Sequence, residues 1–131
     1  MKEIISTRDA PGSAAWEAGG AAFSQAVRAA GLVFVSGQGP FDPASGKMVG
    51  TSIGEQTGQC LRNVEAILRA SGSSLEKVVS ATFFLRQSDD FEGMNEEWVR
   101  WFPIDPPARQ GAQHPRDIPG LRVAVAVIAL A

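Results

Sequence analysis

The sequence predicts a single α+β domain, residues 1–131, in which two helices cover one face of a mixed sheet. The length of 131 residues suits one domain, which can bury about two-thirds of the surface of its unfolded chain. Apolar residues recur at helical spacing in two segments and have strand-like patterns in four others. The resulting order is strand, strand, helix, strand, helix, strand. Two helices can cover only one face of one sheet, so the other face needs a different cover.

The first two strands are predicted at residues 23–28 and 32–36. Valine, leucine and phenylalanine favour strands, and the spacer at residues 29–31, which ends in glycine, indicates a hairpin. The preceding segment, residues 8–22, is rich in alanine and glycine without a hydrophobic period, and we interpret it as a loop. Residues 41–47 contain proline and glycine at turn positions and predict a turn.

The longer helix is predicted at residues 52–70, because its apolar residues recur every three or four positions. Ser52 is the predicted N-cap, Glu55 completes a capping box, and Gly72 ends the helix. Cys60 lies on the apolar stripe without a histidine partner in the local sequence. We therefore interpret Cys60 as a small buried core residue and not as a nucleophile.

A strand at residues 78–85, a helix that starts at residues 88–90 and a last strand at residues 122–131 complete the predicted order. The second helix carries a stripe of four large apolar residues and ends before three prolines. These residues are Phe91, Met94, Trp98 and Trp101, followed by Pro103, Pro106 and Pro107. Both faces of the last strand are apolar, as in a strand covered on both sides. We expect further copies of the chain to cover its second face.

The residue counts exclude several classes of site. One cysteine allows no intrachain disulfide and fits a reducing compartment, and one cysteine with one histidine excludes a Cys/His zinc site within one chain. No glycine pattern resembles a phosphate-binding loop or a dinucleotide fingerprint. The net charge of −2 argues against nucleic acid, and no apolar run suits a membrane span or a secretory signal. We therefore expect a cytoplasmic domain with no metal, no cofactor and no nucleic-acid or membrane partner.

Six further segments occur in a specific order along the chain. They are residues 23–27 (FSQAV), 33–38 (VFVSGQ), 55–57 (EQT), Asn63, 91–96 (FEGMNE) and 106–109 (PPAR). In order and spacing this set resembles the Rid family, the YjgF-type reactive intermediate deaminases, also named endoribonuclease L-PSP. The resemblance covers nearly the whole chain. It implies a chorismate-mutase-like (bacillar) fold assembled as a homotrimer, with three sites between subunits.

The resemblance also implies a reaction and a carboxylate anchor. Deaminases of the family hydrolyse enamines and imines, such as 2-aminoacrylate and its imine tautomer, to 2-keto acids and ammonia without a cofactor. Arg109 matches the family arginine that binds the substrate carboxylate, so it is the expected catalytic and substrate-binding residue. A planar guanidinium offers two parallel donors that match a carboxylate. Ser36 and Gly37 match the strand beside the family's site, and Asn95 matches a helix asparagine near it.

Three expected substrate-binding positions depart from the family pattern. Phe23 replaces a common tyrosine, and Gly111 stands where the deaminases often have a cysteine. Counted without gaps from Arg109, Ala126 occupies the position of the glutamate that is credited with orienting the hydrolytic water. A proton-handling group typically contributes about 10²–10⁴-fold in rate. We therefore expect imine hydrolysis to be weak.

Three other residues have two interpretations each. His114 is interpreted as a loop or surface residue, because strand alternation would point it away from Arg109, and a stand-in acid or base is the alternative. Glu17 is interpreted as a solvated loop carboxylate, with a position at the mouth of the site as the alternative. Trp16 either anchors the loop or lines a pocket for a bulkier substrate.

Two functional hypotheses stay open. The first is a homotrimer that binds small 2-imino, 2-enamino or 2-keto carboxylates and hydrolyses the imine weakly. The alternative is a non-catalytic small-ligand-binding or interaction protein of the same fold. RNA cleavage is the weakest hypothesis, because the sequence has one histidine and its basic residues are scattered.

Overall fold

The computed structural model describes residues 1–12 and 22–131. Within these ranges the chain forms a six-stranded mixed sheet and two α-helices, which confirms the α+β class. The bounds are β1 Glu3–Ile5, β2 Ala26–Ala29, β3 Leu32–Gln38, α1 Ile53–Ala70, β4 Val78–Leu85, α2 Phe91–Trp101, β5 Ala108–Gln113 and β6 Val123–Leu130. The strand order is β1-β2-β3-β6-β4-β5, with β4 and β5 parallel. Trp16 and Glu17 lie outside the described residues, so their interpretations stay predictions.

The predicted hairpin is confirmed as β2 and β3. Ala30 and Gly31 both have positive φ, 53° and 76°, as expected for a two-residue turn whose twist matches the strands. β2 begins three residues later than predicted. The reason lies in the buried side chain of Gln25, whose Nε2 donates to the carbonyl oxygens of Ala10 and Pro11 at 3.1 and 2.8 Å. These bonds tie the chain before β2 to the N-terminal segment.

The longer helix is confirmed as α1, together with its capping box. The backbone N–H of Glu55 donates to Ser52 Oγ, and the backbone N–H of Ser52 donates to Glu55 Oε1, both at 3.1 Å. Gly72, which follows the helix, has a φ of +80°. Cys60 is fully buried, and desolvation raises the pKa of its thiol. A buried, protonated thiol agrees with the interpretation of Cys60 as a core residue.

The predicted order of elements is incomplete, because it lacks two edge strands. β1 has three residues, too few for a hydrophobic pattern. β5 has the sequence ARQGAQ, in which every residue except Arg109 is exposed. An exposed edge strand needs no apolar alternation, since pairing with β4 alone holds it. The other predicted elements occur, and α2 follows a 3₁₀ turn at Ser88–Asp90.

The two faces of the sheet differ in their cover. On one face the helices pack against inward residues of β3, β4 and β6, and Val123 and Val125 are completely buried there. On the other face, which we call the open face, Val27, Phe34 and Ile128 lie side by side across β2, β3 and β6. Phe34 is 40% exposed. The last strand is therefore apolar on both faces as predicted, and the helices cover one of them.

Candidate functional site

Arg109 stands on the edge strand β5 and reaches towards α2. It pairs with Ala81 of β4, which is buried on the helix-covered face. The guanidinium Nη1 donates to Asn95 Oδ1 at 2.7 Å. The structure thus brings together Arg109 and Asn95, two of the predicted site residues that lie 14 positions apart in the sequence.

Three aromatic rings surround the guanidinium of Arg109. Its Cζ lies 5.0 Å from the ring centroids of Phe83 and Trp98 and 5.6 Å from that of Phe91. These are cation–π distances. We call the three rings the aromatic box. The sequence pattern does not indicate this role, because the apolar stripe of α2 already accounts for Phe91 and Trp98, and the strand pattern of β4 accounts for Phe83.

Burial in the aromatic box lowers the pKa of Arg109 by desolvation. The side chain remains a cation at neutral pH, because an arginine guanidinium loses its proton only in strongly basic solution. Among the described residues, no aspartate or glutamate forms an ion pair with Arg109. A half-buried cation without a carboxylate partner is suited to bind an anionic ligand.

Gly111 lies beneath the ring of Phe83, its partner on β4. A Cβ atom at position 111 would overlap that ring. Phe83 also contacts Phe91, with a distance of 5.7 Å between the ring centroids. The ring of Phe83 therefore occupies the space that a cysteine side chain, expected here from the family resemblance, would need.

Ser36 and Gly37 form a β-bulge on β3. Val35 pairs with Val127 and Gln38 pairs with Val125, so both bulge residues stand opposite Ala126. Ser36 Oγ donates to the carbonyl oxygen of Ser24 at 2.6 Å, which links the bulge to the segment before β2. Bulges of this kind bend a strand and change the direction of its side chains.

A cavity of about 590 Å³ lies beside this bulge on the open face. Its lining includes Phe23, Gly37, Phe84, His114 and Ala124. Ala126 is not part of the lining, whereas Ala124, two residues earlier on the same face, is. His114 follows β5, as the loop interpretation predicts, and its Nδ1 accepts a hydrogen bond from the backbone N–H of Arg116 at 3.1 Å.

The predicted site residues thus fall into two groups that one chain does not bring together. Arg109, Asn95 and Gly111 lie at the β5 edge, where Arg109 is directed to the helix-covered side. The second group lies on and beside the open face of β3 and β6 and consists of Phe23, Ser36, Gly37 and Ala126. Strand β4 stands between the two groups in the sheet.

Comparison with known proteins shows the family of the chain. Residues 13–131 match the family model described as endoribonuclease L-PSP. The chain belongs to this family, the Rid family. It is 38% identical to a RutC family protein of Pyrococcus horikoshii, over 90% of this chain and 91% of the relative. It is 32% identical to human 2-iminobutanoate/2-iminopropanoate deaminase, over 99% and 90% of the two chains. The crystal structure of yeast Mmf1 superimposes with a TM-score of 0.87 at 33% identity, over 99% and 98%.

Two residues of the Rid motif set have a structural role in this chain. Buried Gln56 donates to the carbonyl oxygen of Gly120 and accepts from the backbone N–H of Arg122, both at 2.8 Å, and so holds the start of β6. Buried Asn63 donates to the carbonyl oxygens of Gly39 and Phe41 at 3.1 and 2.9 Å. Each amide side chain forms hydrogen bonds with backbone groups of a loop. These bonds explain why a polar residue occurs on the buried face of α1.

Neither a metal centre nor a membrane span is found in the described part of this Rid-family chain. Within residues 1–12 and 22–131, no three His, Cys, Asp or Glu side chains are close enough to hold a metal ion. No helix in the same ranges has the length and apolar character needed to cross a bilayer.

Proposed function

We propose that this Rid-family chain binds a small 2-imino, 2-enamino or 2-keto carboxylate through Arg109 and hydrolyses the imine weakly. The observation that carries this proposal is the environment of Arg109. Its guanidinium is half-buried in the aromatic box, is hydrogen-bonded to Asn95 and has no carboxylate partner among the described residues. The name of the human relative, an iminobutanoate and iminopropanoate deaminase, supports the choice of ligand class.

The proposed reaction needs no cofactor. Water adds to the imine carbon, the resulting carbinolamine loses ammonia, and a 2-keto acid remains. Arg109 would hold the carboxylate, so that a water molecule reacts with a substrate of fixed orientation in an effectively unimolecular step. The group that takes the proton from water is the missing part, because Ala126 and its neighbour Ala124 carry no carboxylate. Slow turnover follows from this absence.

We further propose that the site is completed between subunits of a homotrimer with the chorismate-mutase-like fold. Two observations support this. The site residues divide into a β5 group and a group on and beside the open face. Within residues 1–12 and 22–131 no helix covers the open face, on which Val27, Phe34 and Ile128 lie side by side. If β5 of one subunit meets the open face of the next, then Arg109 faces Phe23 and Gly37 of its neighbour. The proposed setting is the cytoplasm, with a small carboxylate and further copies of the chain as partners.

A non-catalytic ligand-binding or interaction protein of the same fold is the second candidate function. It is favoured by Gly111 and Ala126, which lack the thiol and carboxylate that the resemblance implies at these positions. Such a protein would bind 2-keto acids through Arg109 without accelerating imine hydrolysis.

The experiment that separates these functions measures ammonia release from 2-imino acids made in situ by an amino acid oxidase. The variants are Arg109→Ala and, as a matched control on α2, Arg100→Ala, whose side chain is 77% exposed. We expect a rate above the uncatalysed one that Arg109→Ala abolishes and Arg100→Ala retains. Binding of pyruvate without any acceleration would support the non-catalytic function. The absence of both binding and acceleration would overturn the proposal.

A further inference from the structure

A second cavity, of about 1040 Å³, extends from the aromatic box along strands β4 and β5. Near Arg109 its walls are apolar and consist of Phe83, Phe91 and Gly111. Arg109 itself is not part of the lining, but its guanidinium packs on the two rings that are. We call this cavity the β4–β5 groove. The length of the groove and the polarity of its walls indicate the size and polarity of a carboxylate ligand that binds at Arg109.

The β4–β5 groove is longer than a three-carbon acid requires. Phe83 pairs with Gly111 and Leu85 pairs with Gln113, so the groove follows β5 away from Arg109. The distance from position 109 to position 113 is ~13 Å at the usual strand rise per residue. Phe91, in the wall nearest to Arg109, is 40% exposed in the single chain. A ligand whose carboxylate is held at Arg109 therefore has apolar wall available beyond its third carbon.

The far end of the β4–β5 groove is polar but does not favour a second carboxylate. Arg86, the cation at that end, already pairs with Asp117 at 3.0 Å. Asp89 also lines the groove and would repel a second acid group. The walls thus fit an apolar side chain better than a dicarboxylate.

We propose that the β4–β5 groove receives the side chain of the substrate and selects 2-imino acids with a branched or aromatic side chain over the alanine-derived imine. This inference rests on the proposed function of Arg109 and adds the substrate class. The physical reason is apolar burial: the side chains of leucine- and phenylalanine-derived imines cover Phe83 and Phe91, whereas a methyl group leaves both rings uncovered. Phe91 is then a specificity-determining residue.

The test compares kcat/KM for imines that an L-amino acid oxidase makes from alanine, leucine and phenylalanine. We expect the wild type to favour the leucine or phenylalanine imine by about tenfold or more, the effect of one or two extra buried methylene groups. Phe91→Ala should lower kcat/KM for the large imines by about tenfold more than for the small one. The matched control is Val99→Ala, because Val99 is on the same helix and is 60% exposed. It should leave the preference at the wild-type value.

Binding of 2-keto acids gives an independent measurement that does not need turnover. Calorimetry should give a tighter Kd for 4-methyl-2-oxopentanoate than for pyruvate, and Phe91→Ala should reduce the difference. A preference for the alanine imine and for pyruvate, with Arg109→Ala still inactive, would overturn the selectivity and leave the carboxylate anchor intact. If Phe91→Ala weakens the binding of large and small 2-keto acids equally, the proposed selectivity is also overturned. If no ligand binds and Arg109→Ala changes nothing, the proposed function fails together with the inference.

Discussion

Arg109 donates from Nη1 to Oδ1 of Asn95 over 2.7 Å, a contact between the edge strand β5 and the helix α2. This bond fixes one end of a planar cation that lies within cation–π distance of three aromatic rings. In the described part of the chain no carboxylate pairs with this guanidinium, and the direction of its N–H groups is set before a ligand arrives. Preorganisation of this kind lowers the entropic cost of binding.

The first prediction concerns this anchor. Arg109→Ala should weaken binding of pyruvate or 2-oxobutanoate by about 1.5–3 kcal/mol, the range for a hydrogen bond to a charged group. Arg109→Lys should not restore the affinity, because an ammonium group offers no planar pair of donors and does not stack on Phe83 in the same way. Calorimetry measures both variants. Unchanged affinity in both would place the carboxylate anchor at another residue.

The second prediction concerns Gly111 and Phe83. A Cβ at position 111 would overlap the Phe83 ring, so Gly111→Cys should destabilise the fold by about 1–3 kcal/mol, as overpacking does. Phe83→Val removes the ring, and the double variant should be more stable than the sum of the two single changes predicts. Urea unfolding of the four proteins measures this coupling. Strictly additive changes in the free energy of unfolding would show that the Phe83 ring moves away from the new side chain at no energetic cost.

The third prediction concerns the missing carboxylate. A glutamate on the open face near the bulge should raise the rate of imine hydrolysis, because it would take the proton from the attacking water. Ala126→Glu tests the position counted along the sequence, and Ala124→Glu tests the alanine that lines the cavity with Phe23 and Gly37. We expect the larger gain from Ala124→Glu. The melting temperature is measured in parallel, since a new carboxylate on an apolar face lowers stability.

A wild-type rate that is already high and that neither glutamate changes would contradict this explanation. Another residue of the chain, or the substrate itself, would then handle the proton.

The fourth prediction separates assembly from folding. Light scattering should give a mass near three times the 13.8 kDa of one chain, because burial of the open face contributes about 25 cal/mol per Å² of apolar surface. Ala126→Arg places a charge on the open face and should give folded monomers. Val125→Asp places a charge in the core, where Val125 is completely buried, and should prevent folding. Val99→Arg, on the exposed side of α2, is the control and should remain trimeric.

Circular dichroism distinguishes the folded variants from the unfolded one. A wild-type mass of 13.8 kDa at micromolar concentration would contradict the proposed assembly.

The fifth prediction uses the capping box of α1. The hydrogen bonds from the backbone N–H and the hydroxyl of Ser52 lower the pKa of Glu55 below its ordinary value of 4.5. A lowered carboxyl pKa stabilises the fold above the unfolded-state value, and this contribution is lost as the pH falls through the folded-state value. The stability difference between wild type and Glu55→Ala should therefore be present at pH 7 and shrink below pH 4.5.

Ser52→Ala removes the N-cap itself and should cost about 0.5–2 kcal/mol at neutral pH. Urea unfolding at a series of pH values measures both variants. A difference between wild type and Glu55→Ala that does not change with pH would rule out a role for the ionised carboxylate.

The elements that the sequence predicted are those with a local cause. Helix α1 has a capping box and an apolar stripe within its own residues, and β4 has a run of β-branched and aromatic residues. The β2–β3 hairpin has a turn at Ala30 and Gly31 that fixes its own geometry. In each case the interactions that select the structure connect residues close in sequence. The edge strand β5 has no such signal, because backbone pairing with β4 alone determines it.

For the candidate site, too, some features were predictable from the sequence and others depend on tertiary contacts. The resemblance of the PPAR motif to the Rid family predicts that Arg109 is a carboxylate anchor, and the planar guanidinium suits that role. The aromatic box depends on the packing of α2 against the β4–β5 edge, which brings Phe83, Phe91 and Trp98 around one guanidinium. The insertion of β6 between β3 and β4, together with strand alternation, directs Arg109 and Ala126 to opposite sides of the sheet. Only the tertiary structure decided these relationships, because contacts between distant segments depend on strand order and register, which no local pattern specifies.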